Sequence, residues 1–383
     1  MRLSVLILLA SARVASAYPI FQFASGSDHC EACHFAPDGG GLLNDFGRSE
    51  AGDTISWRGD GRFLHGAWTP PAAIALGGDF RFAGAGVART EESQLLAFPM
   101  QADAYGQFQF DRFRIGGSLG ASKVHAGTVY SQAAQITKNN NDGDYNLISR
   151  SHWIGYDFSD HVLLRAGRLN LPFGVRIPEH VMWVRTATNT DREHSQEHGV
   201  ALDYSEGRIR GEIMGIAGNF QISPDKFRSR GYSLYGEYLL SPHAAVGLSS
   251  LVTHAEADYT IAQSPTNTRQ AHGLTGRVAP ITPLVFLAEG DLLLSSVASA
   301  GYVGMLQADY EMIQGLHLMG TGEIQDTGKP NGTSTSAPGS GEPQFGGWLT
   351  VNWFFFTHFD VRVDLVVRQN NATALQSQFH FYF

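Results

Sequence analysis

From about residue 72 to the last residue, Phe383, one pattern repeats. Runs of roughly ten residues alternate apolar and polar and are closed by turn-forming residues, the spacing of strands that cross a bilayer. In 358–368, Phe359, Val361, Val363, Leu365 and Val367 share one face, and Asp360, Arg362, Asp364 and Arg368 the other. In 374–383, Leu375, Phe379, Phe381 and Phe383 oppose Gln376, Gln378, His380 and Tyr382. A period of two is the strand period. The runs fall at 72–88, 98–110, 112–124, 147–158, 161–170, 196–205, 208–218, 231–240, 243–256, 269–279, 283–294, 302–312, 315–326, 345–356, 358–368 and 374–383, sixteen in all.

The connections alternate in length. Asp111, Ser159-Asp160, Glu206-Gly207, Ser241-Pro242 and Thr357 mark tight turns. Between them lie long connections at 125–146, 171–195, 219–230, 257–268 and 327–344. An even strand count, short turns at one end and long loops at the other predict an all-β fold, a transmembrane antiparallel β-barrel of about 16 strands. Composition agrees: charged residues are 16% of the chain, against about 25% in soluble domains. No mature stretch reaches the roughly 20 apolar residues of a spanning helix. With no helices to cover so many strands, lipid is the natural solvent for the apolar face, rather than the core of a soluble sandwich. The net charge of −9 speaks against nucleic acid as a partner and is compatible with attracting cations.

The first seventy residues read differently. Arg2, the apolar run Leu3–Ala12 and Ala15-Ser16-Ala17 make a signal-peptide pattern, so the expected division is signal peptide 1–17, a cofactor segment 18–52, a linker 53–71 ending at Thr69-Pro70-Pro71, and the barrel 72–383. The two cysteines form Cys30-Glu31-Ala32-Cys33-His34, a C-x-x-C-H, the attachment pattern of c-type haem. Two thiols reach the two vinyl groups of one porphyrin edge, and the next histidine places a nitrogen on the iron. A zinc site would need further ligands at a matching spacing, and a redox dithiol would sit in a βαβ pattern that is absent here. The expected cofactor is one covalently bound haem c on Cys30, Cys33 and His34.

Around the motif stand Tyr18-Pro19-Ile20-Phe21, Gly26, Pro37 and Leu43-Asn44-Asp45-Phe46-Gly47-Arg48. This order resembles the fused monohaem cytochrome–porins of the bacterial outer membrane. Their iron-oxidising members carry a Pro-x-Phe stretch, one C-x-x-C-H and a Leu-Asn-x-Phe-Gly box ahead of a barrel. The likeness covers about residues 18–48; where iron-oxidising relatives commonly have Arg-Gln, this chain reads Gln22-Phe23-Ala24-Ser25. It implies a haem segment plugging the barrel. Electrons would pass between an extracellular redox partner such as Fe(II) and a periplasmic c-type cytochrome, with outer-membrane lipid around the wall and both termini in the periplasm or lumen. An extracellular Fe(II) oxidase is one form of that activity. A diffusion porin with a haem sensor or gate, and a barrel-anchored haem peroxidase, are the alternatives.

The sixth iron ligand is open. Segment 18–52 has no Met, and its other histidine, His29, adjoins Cys30; His65 is the expected ligand, with Met100, His152, His380 or an open position as alternatives. His194-Ser195-Gln196-Glu197-His198 matches the H-x-x-E-H of some zinc peptidases, but that chemistry needs a helix and this stretch enters a strand. The polar stretch 172–198, with Arg176, Glu179, His180, Arg185, Arg192 and Glu193, is expected to fold into the pore and narrow it.

Overall fold

The computed structural model describes residues 30–37, 39–88, 93–123, 132–137, 145–191, 195–331, 341–369 and 373–383. The export segment, Tyr18–Phe21, Gly26 and His29 lie outside them.

Sixteen antiparallel staves close into one barrel. They are β1 (Ile74–Ala88), β2 (Ser93–Phe110), β3 (Phe113–Lys123), β4 (broken into Tyr145–Ile148 and His152–Ser159), β5 (Val162–Leu169), β6 (Glu197–Glu206), β7 (Ile209–Ile216), β8 (Arg230–Ser241), β9 (Ala244–Ala255), β10 (Asn267–Ile281), β11 (Leu284–Ser295), β12 (Ala298–Ile313), β13 (Leu316–Asp326), β14 (Gln344–Phe356), β15 (Phe359–Arg368) and β16 (Thr373–Tyr382). Each pairs with its sequence neighbours, and β1 pairs with β16 from Asp79↔Tyr382 to Ala88↔Thr373, which removes every open edge. Closure satisfies the backbone, so the barrel can stand in hydrocarbon.

The alternation read from the sequence is the in–out alternation of the wall. On β15, Val361, Val363, Leu365 and Val367 are exposed outward, and Asp360, Arg362 and Asp364 are buried inward. Seven two-residue turns, at 111–112, 160–161, 207–208, 242–243, 282–283, 314–315 and 357–358, gather at one end. Asp111, Gly207, Gly315 and His358 take left-handed φ there (51°, 60°, 80° and 74°). The longer connections gather at the opposite end, together with one further two-residue turn at 296–297. Several strands outrun their expected bounds at that end: β2 starts at Ser93 and β12 at Ala298, because hairpin pairing continues past the apolar belt. Phe383 departs from the outward face. Its N–H donates to Gly78 O at 3.1 Å and its own carbonyl accepts from Gly78 N at 3.0 Å. Its ring lies 5.6 Å from that of Phe63. Gly78 permits this, since a Cβ there would stand 2.5 Å from the Phe383 ring.

Two stretches fill the interior. The first is the connection 170–196, which carries the short helix α1 (Trp183–Thr188). Val175, Ile177, Met182, Trp183 and Val184 are buried in one cluster with the wall residues Leu287, Val303, Met305, Met319 and Trp348. Arg185 anchors it: its guanidinium donates to Glu289 of β11, to Val175 O at 2.8 Å and to Thr190 Oγ1 at 2.9 Å. The second stretch is 30–69, near the short-turn end. Trp57 N donates to Phe354 O at 2.9 Å, Thr357 N to Arg58 O at 2.8 Å, and Gln314 Nε2 to Ser56 O at 2.8 Å. Leu43, Ala51 and Ile55 share the same apolar cluster as Ala245, Ala279, Val285 and Phe354 of the wall.

Candidate cofactor site

The C-x-x-C-H stretch forms a single 3₁₀ turn (Cys30–Ala32) followed by a tight loop, with His34 N donating to Cys30 O at 3.0 Å. The turn is held by the Leu43–Arg48 box. Asn44 Nδ2 donates to Glu31 O at 3.1 Å and to Ala32 O at 3.0 Å, and Asn44 N donates to Cys33 O at 2.9 Å. The same side chain caps helix α2 (Asp45–Glu50), its Oδ1 accepting from Gly47 N at 2.9 Å. Gly47 packs directly on the cysteine loop: a Cβ there would lie 2.2 Å from Cys33 O. The box is thus a clamp that fixes the cysteine loop. Gly61 closes the segment onto itself, since a Cβ there would lie 1.6 Å from Arg48 O.

Cys30 and Cys33 are both buried and form no disulfide. Arg210 of β7 reaches Cys30, with Nη1 3.4 Å from Sγ, while its Nε lies 2.9 Å from Glu237. A cavity of about 210 Å³ opens beside the loop. Cys30, His34 and Gly39–Gly41 line it from the segment, Pro178 and His180 from the inward connection, and Tyr105, Arg165 and His380 from the wall. Gly39 has φ +72°, and a Cβ on it would press to 3.2 Å from Cys30 Cβ. The glycines leave a smooth, close wall at the cysteines.

These residues fit a c-type haem. The thiols are not spent on each other, and His34 faces the same cavity as Cys30; the guanidinium groups of Arg81, Arg150 and Arg165 on the lining are paired with the wall carboxylates Asp79, Asp103 and Asp203.

The other expected residues are dispersed. His65 does not line the cavity; its ring packs 4.6 Å from His358 and 5.3 Å from Phe356, and its Nδ1 lies 3.0 Å from Asp60 O. Met100 is also absent from the lining. His380 does line it, but is gripped by Asp360 at 2.7 Å and lies 3.2 Å from Asp79. His152 stands beside His198, Nε2 to Nε2 at 3.2 Å, next to Phe220. His194 of the H-x-x-E-H lies outside the described residues. Glu197 and His198 are consecutive in β6 and so point to opposite faces, which separates two residues that the zinc reading would need together. Among the described residues no group of three or more metal-ligating side chains is assembled. Sequence reasoning did not single out Arg210. Its only local signal is its place on an alternating strand.

Outside the strands, Asp60 and His358 are among the groups with displaced proton affinities. Asp60 is lowered to about 2 by its hydrogen bonds from the Arg62 side chain and backbone. His358, in the 357–358 turn, is lowered to about 4, chiefly by burial; its Nε2 lies 3.2 Å from Arg62 O.

No family model and no curated protein matches the chain. Solved structures do. Salmonella typhi OmpF in complex with daunomycin aligns with a TM-score of 0.60 at 12% identity, covering 81% of this chain and 97% of that one. The trimer form of in-vitro folded OmpT, an outer membrane protein of Vibrio cholerae, gives 0.58 at 11% identity, covering 81% and 99%. An anion-selective porin from Comamonas acidovorans gives 0.55 at 11% identity, covering 81% and 99%. The fold is that of the bacterial outer-membrane porins.

Proposed function

We propose that this chain is an outer-membrane monohaem cytochrome–porin that carries electrons between an extracellular partner, such as Fe(II), and a periplasmic c-type cytochrome. The observation that carries this reading is the C-x-x-C-H loop clamped inside a porin-type barrel, with Cys30 and His34 on one cavity wall. Bound there, a haem supplies a one-electron centre in a membrane that otherwise insulates. Cys30 and Cys33 would hold it and His34 would bind its iron. The barrel wall keeps lipid away from it. The short-turn end faces the periplasm, as in bacterial barrels generally. The net charge of −9 raises the local concentration of a cationic donor. One haem does not by itself bridge an apolar belt of about 25 Å. The extracellular partner therefore enters from the long-loop end, where a second cavity of about 570 Å³ lies above the inward connection.

That second cavity also favours a rival reading, a diffusion porin whose haem segment is a gate. Two measurements separate them. Denatured protein matured in the periplasm should keep haem peroxidase staining on a gel, and Cys33→Ala should weaken or abolish it. Proteoliposomes holding a redox dye, with Fe(II) outside, should show dye reduction only with haem-loaded protein. Free passage of small sugars without dye reduction would replace the conduit with the gated porin.

A further inference from the structure

Resting on the haem reading above, we propose that His180, on the connection folded into the pore, is the second axial ligand of the haem iron, opposite His34. Of the imidazoles in the structure, His34, His180 and His380 line the cavity beside Cys30. His380 is spoken for by two carboxylates, Asp360 and Asp79. Tyr105 already receives a hydrogen bond from Gln101 at 3.1 Å, and no methionine lines the cavity. His65 is turned toward His358 on another side of the segment.

His180 differs from all of these. Among the described residues it makes no hydrogen bond, yet the chain on both sides of it is fixed. Pro178 restricts the backbone two residues before it. Glu179 is tied to Arg362 of β15 at 2.5 Å. Met182 is fully buried, and its N–H donates to Glu179 O at 3.2 Å. A half-buried imidazole held at a cavity wall by immobilised neighbours has the rigid support that a metal ligand needs. Two imidazoles on one iron make it six-coordinate and low-spin, a state suited to electron transfer rather than to binding small ligands. Haem loading then ties the pore connection to the N-terminal segment through the iron.

The test uses the full-length, haem-loaded protein in detergent, read by ferric EPR and visible spectra. The wild type should be low-spin. His180→Ala should convert it to high-spin with covalent haem retained, and added imidazole should restore the low-spin signal. His180→Met should stay low-spin with a raised midpoint potential, since a His/Met pair raises it. His65→Ala should change nothing. The heat-dependent gel shift of each variant verifies the barrel. A His180→Ala protein that stays low-spin, a high-spin wild type, or conversion by His65→Ala instead would each overturn the assignment and leave the haem reading standing. A wild type without covalent haem would overturn the haem reading and this ligand with it.

Discussion

The two ends of the lumen are filled in opposite ways, and β11 shows the change along one strand. Its inward residues run Val285, Leu287, Glu289, Asp291. At the short-turn end Val285 packs in a dry cluster with Leu43 and Ile55 of the N-terminal segment. Further along, Glu289 holds Arg185 of the inward connection. Beyond that connection lies the cavity of about 570 Å³, with Thr186, Asn189, Thr253, Asn267 and Arg269 on its wall. A wet pore has no use for Val285, Ala245 and Ala279 on its inner face, because apolar area facing water costs about 25 cal/mol per Å². The difference teaches that the strand walls are alike in construction, while the non-strand segments decide which part of the bore stays open.

The strongest way to break this comparison is to delete residues 18–71. Single-channel conductance should then rise severalfold and covalent haem should be lost, with the barrel's heat-dependent gel shift unchanged. Unaltered conductance would mean that the N-terminal segment does not obstruct the bore. Next in size is Arg185→Met. It leaves Glu289 buried without its cation, a loss of about 3–5 kcal/mol for a broken buried pair. The inward connection should become sensitive to protease added from the long-loop end, while haem content holds. Protection equal to the wild type would show that the apolar cluster alone holds the connection.

The smallest effect sharpens the dry side. His358 is neutral in the docked state, lowered to about 4, whereas a released histidine titrates near its ordinary 6.5. The released state therefore binds the extra proton, so docking is at full strength above pH 6.5 and weakens as pH falls toward 4. Amide exchange over residues 57–66, corrected for its intrinsic rate, should speed up by at most about tenfold per pH unit in that window. His358→Asn should flatten the dependence; an unchanged slope would assign it to another group.

The barrel was legible because its signal is local. Alternation marks each strand, and residues such as Asp111 and Gly207 mark the turns, so all sixteen staves were visible within a few residues of their bounds. The interior was less so. Nothing near Leu43 or Ile55 announces that both join an apolar cluster with wall residues such as Ala245 and Val285. His65 is close in sequence to the cysteines but turned to His358, while His180, far along the chain, shares the cavity of Cys30 and His34. Phe383 followed the outward parity of its strand, yet its ring meets Phe63, because the strand ends at Tyr382 and Gly78 leaves room. The Asn44–Gly47 box was visible as a motif, but its work as a clamp on the cysteine loop needed coordinates.

The seam between β1 and β16 also sets an order of events. The wall cannot close until Thr373–Tyr382 reach β1. The cysteine loop precedes every strand of the wall along the chain. The segment that carries it ends against residues far apart in the chain: Arg210 at Cys30, Phe354 in the cluster of Leu43 and Ile55, and Phe383 at Phe63. Until that seam forms, the loop has no closed wall around it and the thiols are open to the surroundings. After closure they are buried. On the proposed haem reading, attachment to these thiols would therefore come before the seam closes.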